Sequence, residues 1–262
     1  MKMNRRDFLS AAGATTLASS IKASSLIAGE QAAATKRILA IAFDALVIFD
    51  LGIVAKRAEE LFPGRGSELT SLWRTRQFEY TWLRTAGERY RNFWQVTQDA
   101  LNYVDARMGL HFSGAERDNL MNAYRELQIW PDVQKTLADL RDHGMRMVFL
   151  SNFTADMIST NLKSAGLSSF FEEHLTTDRV QAFKPSPRAY QMGTDHFGCR
   201  QEEIAFAAFA PWDAAGAKWF GYRTLWINRA SVPPEELSVA PDFVASRLSD
   251  PGLLSHLLSG PK

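Results

Sequence analysis

In the stretch ILAIAFDALVIFD, Ile38 to Asp50, one carboxylate, Asp44, directly follows an apolar run, and a second, Asp50, comes six residues later. A carboxylate is ionised at neutral pH, so Asp44 can attack an electrophile without a base to activate it. The plainer reading is that it ends a buried strand as a turn or cap residue. Ser151-Asn152, Lys184 and Asp213 pose the same choice. Ser-Asn is ordinary turn chemistry, Lys184 before Pro185 reads as a solvated loop lysine, and Asp213 reads as a cap for the helix that follows. Other reactive side chains form no pattern. His111, His143, His174, His196 and His256 share no metal-ligand spacing. The single cysteine, Cys199, excludes an internal disulfide framework and thiolate metal clusters.

Ile38 to Phe43 and Met145 to Leu150 are brief and aliphatic, as strands covered on both faces should be, and Ile204 to Phe209 and Thr224 to Ile227 look similar. Helices are predicted over Ala155 to Ala165, before Gly166, and over Ser186 to Phe197, before Gly198. Strands separated by helices predict an α/β fold with a parallel sheet covered on both sides. In such sheets ligands sit beyond the carboxyl ends of the strands. Asp44, Ser151-Asn152, Lys184 beyond a short candidate strand, and Asp213 all fall at those ends. Between Leu61 and Trp130 the sequence has no strand-like alternation and is dense in aromatic and basic residues. Leu69, Leu72, Trp73, Tyr80 and Leu83 follow helical spacing, while Arg74, Phe78 and Trp82 form an i, i+4, i+8 row on another face. Two apolar faces imply two burial partners: the sheet domain for one, and another helix or a second subunit for the other.

The chain has 262 residues and 46% hydrophobic content, enough for one substantial core and a smaller second lobe. Lys plus Arg total 30 against 29 acids, so there is no clustered basic excess to hold nucleic acid. MKMNRRDFLSAAGATTLASS places Arg5-Arg6 before Phe8-Leu9 and an Ala-rich stretch, the pattern of a twin-arginine export signal. The stretch is too short and polar to span a bilayer, and Ala32-Ala33-Ala34 supplies the small residues of a cleavage site. The reading is a periplasmic protein exported folded; the rival is a disordered basic tail.

From about Arg37 to Leu258 the chain resembles the type II haloacid dehalogenases of the haloacid dehalogenase superfamily. The resemblance is carried by FDA at Phe43 to Ala45, FPGRG at Phe62 to Gly66, LWRTRQFEYTWLR at Leu72 to Arg84, LSN at Leu150 to Asn152, FKP at Phe183 to Pro185 and WDAAGAKWFG at Trp212 to Gly221. It implies a Rossmann-like core with a helical cap inserted after the first strand, often as a homodimer through cap helices. On this chain the segments would be a signal over 1–34, the core over 36–60 and 131–262, and the cap over 61–130.

The same resemblance implies roles. Asp44 would attack carbon 2 of a short 2-haloacid, expel halide with inversion and leave an aspartyl ester. Asp213 would orient and activate the hydrolytic water. Lys184 would offset the two carboxylates and help hold the substrate carboxylate. Ser151 and Asn152 would give hydrogen bonds to substrate or to Asp44. Arg74 would face the departing halide, with Trp212 among the aromatic residues excluding water. Phosphatases of the superfamily usually carry a second Asp two residues after the nucleophile, where this chain has Leu46. Phosphate-ester cleavage is disfavoured, and no metal or other cofactor is expected.

The chain departs from the family pattern. Where type II enzymes typically read D-x-Y-G-T-L-x-D, Asp44 to Asp50 reads DALVIFD, one residue shorter and without the Thr hydroxyl. Ahead of WDA, Ala208 and Ala210 replace the usual Ser and Asn. Losing one preorganised donor commonly costs about a hundred- to a thousandfold in rate. The alternative to a hydrolase is therefore a catalytically weakened dehalogenase-fold protein acting as a small-molecule binding or assembly module.

Overall fold

The computed structural model describes residues 37–258; the Arg5-Arg6 signal pattern and Ala32-Ala33-Ala34 lie outside the described residues. The chain runs β1 (Ala40–Phe43), the one-turn helix α1 (Ala45–Ile48), β2 (Phe49–Asp50), α2 (Gly52–Leu61), α3 (Gly66–Ala86), α4 (Phe93–Met108) and α5 (Gly114–Asn122). It continues through β3 (Gln128–Ile129), α6 (Val133–Asp142), β4 (Arg146–Ser151), α7 (Ala155–Ala165), β5 (His174–Thr176) and α8 (Pro187–Phe197). Last come β6 (Ile204–Ala208), α9 (Pro211–Phe220), β7 (Arg223–Ile227), β8 (Phe243–Ala245) and α10 (Pro251–Leu258).

Six strands form one parallel sheet in the order β5-β4-β1-β6-β7-β8. Its central strands are buried on both faces, which is why they read as unbroken apolar runs rather than as alternation. Ile41, Phe43, Phe149, Ala205 and Leu225 face one core, while Ala42, Val148, Leu150, Phe206 and Trp226 face another. Phe43 pairs with both Phe149 and Ala207, so the residues following these three strands emerge side by side at one rim.

Local signals set the helix ends. Thr154 caps α7 by accepting from the Met157 N–H, and Gly166 closes it with a left-handed φ of 69°. Pro187 opens α8 and Pro211 opens α9, where a missing N–H costs nothing.

Helices α2 to α5 lie between β2 and β3, the two strands of a small antiparallel pair. At Gly66 any Cβ would come 2.5 Å from the backbone of Glu59, so glycine lets α3 start hard against α2. The helix α3 buries Leu69, Trp73, Gln77 and Thr81. Trp73 Nε1 donates to Thr97 O at 2.8 Å and Gln77 Nε2 to Thr97 Oγ1 at 2.6 Å, tying α3 to α4. This i, i+4 stripe admits polar residues because each finds a partner, and it leaves Leu83 64% exposed, contrary to its grouping with Leu69 and Trp73 in the sequence reading.

One expected element is missing. No strand directly precedes Lys184; the fifth strand is His174–Thr176, and a turn and loop separate it from Lys184. Gln181 takes a left-handed φ of 49°, and the Lys184 N–H goes to Asn152 Oδ1 at 3.0 Å rather than to a neighbouring strand.

A candidate active site at the strand rim

Asp44 does the turn work of the plainer reading. Its N–H extends the sheet by donating to Ala207 O at 2.9 Å, and its Oδ1 caps α1 by accepting from the Leu46 N–H at 3.0 Å. Yet the carboxylate is not sealed inside: it stays 14% exposed and lines a cavity. Its Oδ2 accepts from Lys184 Nζ at 2.7 Å.

Lys184 is fully buried, the opposite of a solvated loop lysine, and reaches Asp213 Oδ2 at 2.6 Å and Leu150 O at 3.3 Å as well. An ammonium has three donors, and all three are used. Asp213 is the third residue of α9 rather than its cap, which is Ala210. Its other oxygen, Oδ1, accepts from the Tyr190 hydroxyl at 2.7 Å. Gly216 makes this approach feasible, since a Cβ there would lie 2.5 Å from Tyr190 Oη and 2.6 Å from Pro185 Cβ.

The electrostatics differ across the cluster. Burial works against the Lys184 charge, but the Asp213 and Asp44 carboxylates outweigh it and hold its pKa above the ordinary value. Asp213 is raised to about 6: burial pushes it up, the Lys184 ammonium pulls against that rise, and the Asp44 charge adds to it. Burial first, then Asp213, drive the Tyr190 hydroxyl well above the usual tyrosine range, so it keeps the proton that it donates to Asp213. Two carboxylates share one cation, and the more buried of them is the one poised to exchange a proton near neutrality.

The cavity in front of Asp44 also meets Arg74, Ser151, Asn152, Phe209, Trp212 and Asp213. It leaves about 20 Å³ to the centre of a water molecule, room for one ordered water. The sequence-selected residues thus converge: six line the cavity, and Lys184 is bonded to three of them, Asp44, Asp213 and Asn152. Ser151 Oγ accepts from the Phe153 N–H at 3.2 Å and Asn152 accepts from Lys184 N–H, so both also do turn work. Arg74 lies with its guanidinium 5.5 Å from the Phe209 ring centre. Trp212 packs edge-on against Phe78 at 5.1 Å and Trp82 at 5.6 Å, forming an aromatic wall. A second cavity of about 350 Å³, lined by residues of α2 and α3, shares Leu51, Arg74 and Tyr124 with the first. Among the described residues no group of three or more His, Cys, Asp or Glu is placed to hold a metal ion.

Sequence reasoning missed Tyr190, Gln77, Phe93, Tyr124 and Phe153 in or beside the site. Tyr190 reads as one more residue on the buried face of α8. Its only signal is that a hydroxyl on such a face must find a partner.

The chain is similar to known proteins. The chain is 39% identical over 212 residues to the (S)-2-haloacid dehalogenase of Pseudomonas sp. (strain YL), covering 80% of this chain and 91% of that one. It is 38% identical over 209 residues to the haloacetate dehalogenase H-2 of Moraxella sp. (strain B), covering 79% and 93%. Among solved structures, the L-2-haloacid dehalogenase from Xanthobacter autotrophicus with chloropropionic acid covalently bound is similar with a TM-score of 0.77 and 32% identity, covering 84% of this chain and 99% of that one. Residues 20–221 match the haloacid dehalogenase-like hydrolases, and with that span and these relatives the chain belongs to that family.

Proposed function

We propose that this protein hydrolyses the carbon-halogen bond of short 2-haloacids, with Asp44 as the nucleophile and Asp213 as the base. The observation that carries the reading is a half-open carboxylate, Asp44, bonded to the same buried lysine as a second carboxylate whose pKa is about 6. The names of the relatives, (S)-2-haloacid and haloacetate dehalogenases, support the substrate class.

In the first step an Asp44 oxygen forms a bond to carbon 2 as the carbon-halogen bond breaks, and halide leaves with the electron pair. Halide is a weak base and needs no proton, which suits Leu46 in place of a second acid. Lys184 fixes Asp44 through the bond to its Oδ2 at 2.7 Å. Arg74, with no carboxylate partner among the described residues, faces the developing halide, and Trp212 and Phe209 keep water from competing. In the second step water adds to the ester carbonyl carbon of Asp44 and gives its proton to Asp213. The ester bond breaks, the 2-hydroxyacid departs, and Asp44 is regenerated carrying an oxygen from water.

Halide release from (S)-2-chloropropionate without added metal, abolished in Asp44→Ala, tests this reading. No release from a panel of chloro-, bromo- and fluoroacids would overturn it.

Export by the twin-arginine route belongs to the same reading, supported by Arg5-Arg6; a reporter fused to residues 1–36 and its Arg5→Lys, Arg6→Lys variant test it. Pairing of two copies through the inserted helices is supported by the exposure of Trp82 and Leu83 on α3, and sedimentation of Leu83→Glu against the parent tests that.

A further inference from the structure

We infer that Trp130 and Arg229, which lie outside the cavity, clamp the turn that carries Asp44 and are positioning residues for its attack. The inference rests on the proposed nucleophilic role of Asp44.

The turn is poorly held by its own bonds. Between Asp44 and Asp50 the chain reads ALVIF, with no polar side chain. Helix α1 is a single turn, closed by the Val47 N–H to Asp44 O at 3.2 Å and by the Phe49 N–H to Ala45 O. One turn is below the length at which a helix sustains itself, and the carbonyls at its end have no partners within it.

Two residues distant in sequence supply every remaining donor. Trp130 Nε1 donates to Leu46 O at 3.2 Å and to Phe49 O at 3.1 Å, while its backbone N–H donates to Ile48 O at 3.1 Å. Arg229 Nη2 donates to Val47 O at 3.1 Å. Four consecutive carbonyls are thereby fixed by two side chains and one amide.

The clamp is itself anchored. The Arg229 guanidinium lies 4.6 Å from the Trp130 ring centre and pairs with Asp132 Oδ1 at 3.0 Å. Asp132 Oδ2 accepts from the Leu248 N–H at 2.6 Å and the Ser249 N–H at 3.2 Å, tying the C-terminal segment to the same point. Arg229 is 8% exposed. Burying an ion pair seldom stabilises a fold more than apolar packing does, so its retention here is explained by the aim of the turn rather than by stability alone.

The geometry separates the two chemical steps. The clamp touches only the segment after Asp44, whereas Asp213 is held on α9 by Lys184 and Tyr190. Loosening the turn therefore slows the attack on carbon 2, which needs an in-line carboxylate oxygen, more than the hydrolysis of the ester carbonyl that Asp44 then carries.

The test is rapid-quench kinetics on Trp130→Phe, which keeps the ring and removes the Nε1 donor, and on Arg229→Lys, which carries the test should Trp130→Phe not fold. The expected result is a halide burst slower by about ten- to a hundredfold, the scale of a small misplacement of a reacting group, with ester decay slowed less. An unchanged burst, or equal slowing of both steps, overturns the clamp; equal slowing means a general loosening of the fold. If the parent protein releases no halide, the proposed function fails by itself. Amide hydrogen exchange then decides the clamp: faster exchange at Leu46 to Phe49 with unchanged β6 amides supports it, and unaltered exchange at Leu46 to Phe49 overturns it.

Discussion

The hydroxyl of Tyr190 donates to Asp213 Oδ1 at 2.7 Å while Lys184 holds the opposite oxygen at 2.6 Å. Asp213 is thereby gripped from both sides in a site that admits almost no solvent. Burial raises its pKa, both partners work against that rise, and the net value is about 6.

Tyr190→Phe removes one of the two bonds favouring the charged form. The pKa of Asp213 should move above about 6, and the acid limb of ester hydrolysis should move with it while the halide burst keeps its pH dependence. Single-turnover rates between about pH 5 and 8, a window of about three units that brackets the Asp213 value of about 6, check this.

In the parent protein, ester hydrolysis should fall as pH drops through about 6, where Asp213 takes up a proton and can no longer act as base. The stability effect has the opposite sign. A folded-state pKa above the unfolded value means that the folded form binds the proton more tightly, so this group destabilises the fold progressively as pH rises through that interval. Denaturation midpoints of Asp213→Asn and the parent should differ more at about pH 7 than at about pH 4, near the two ends of the interval between the ordinary carboxylate pKa and about 6.

Gly216→Ala should displace Tyr190 and Pro185, because the added Cβ would meet them at 2.5 and 2.6 Å. The expected cost is about 1–3 kcal/mol of stability, together with the acid-limb shift expected for Tyr190→Phe. Chemical denaturation and the same pH profile measure the two effects.

Arg74→Gln should lower the halide burst by about a hundred- to a thousandfold. Stability should change by less than about 0.5 kcal/mol, since Arg74 is half-buried beside Phe209 and has no ion pair among the described residues. Burst amplitude and thermal unfolding separate the two.

Ala210→Asn should improve the enzyme twice over. Ala210 stands at the N-cap of α9 with no side-chain bond, and it lines the cavity. An Asn there can cap the helix, worth about 1 kcal/mol, and its amide can donate to the departing halide. A higher melting temperature with faster halide release is the expected pair of results; a higher melting temperature with an unchanged rate would show that the cavity does not use the donor.

Much of the fold was legible along the chain because its signals are local. The apolar runs at Ile38 to Phe43 and Met145 to Leu150 became β1 and β4, and the stop signals at Gly166 and Gly198 ended α7 and α8 as expected. The rim location of Asp44, Ser151 and Asn152 followed from the same logic, since a parallel sheet presents all its carboxyl ends on one side. Lys184 was recognised without its strand, because a loop bent at Gln181, not a sheet register, delivers it.

What composition and spacing determined by themselves were the α/β class, the strand and helix cores, and the reactive residues at strand ends, because periodicity and turn chemistry act over a few residues. Only the tertiary structure decided that one buried ammonium joins Asp44 to Asp213, that Tyr190 completes the grip, and that Trp130 and Arg229 hold the nucleophile's turn. Each of those bonds is made between residues far apart in the chain. Their partners are set by which carbonyl or carboxylate is left unsatisfied once the sheet and helices have packed.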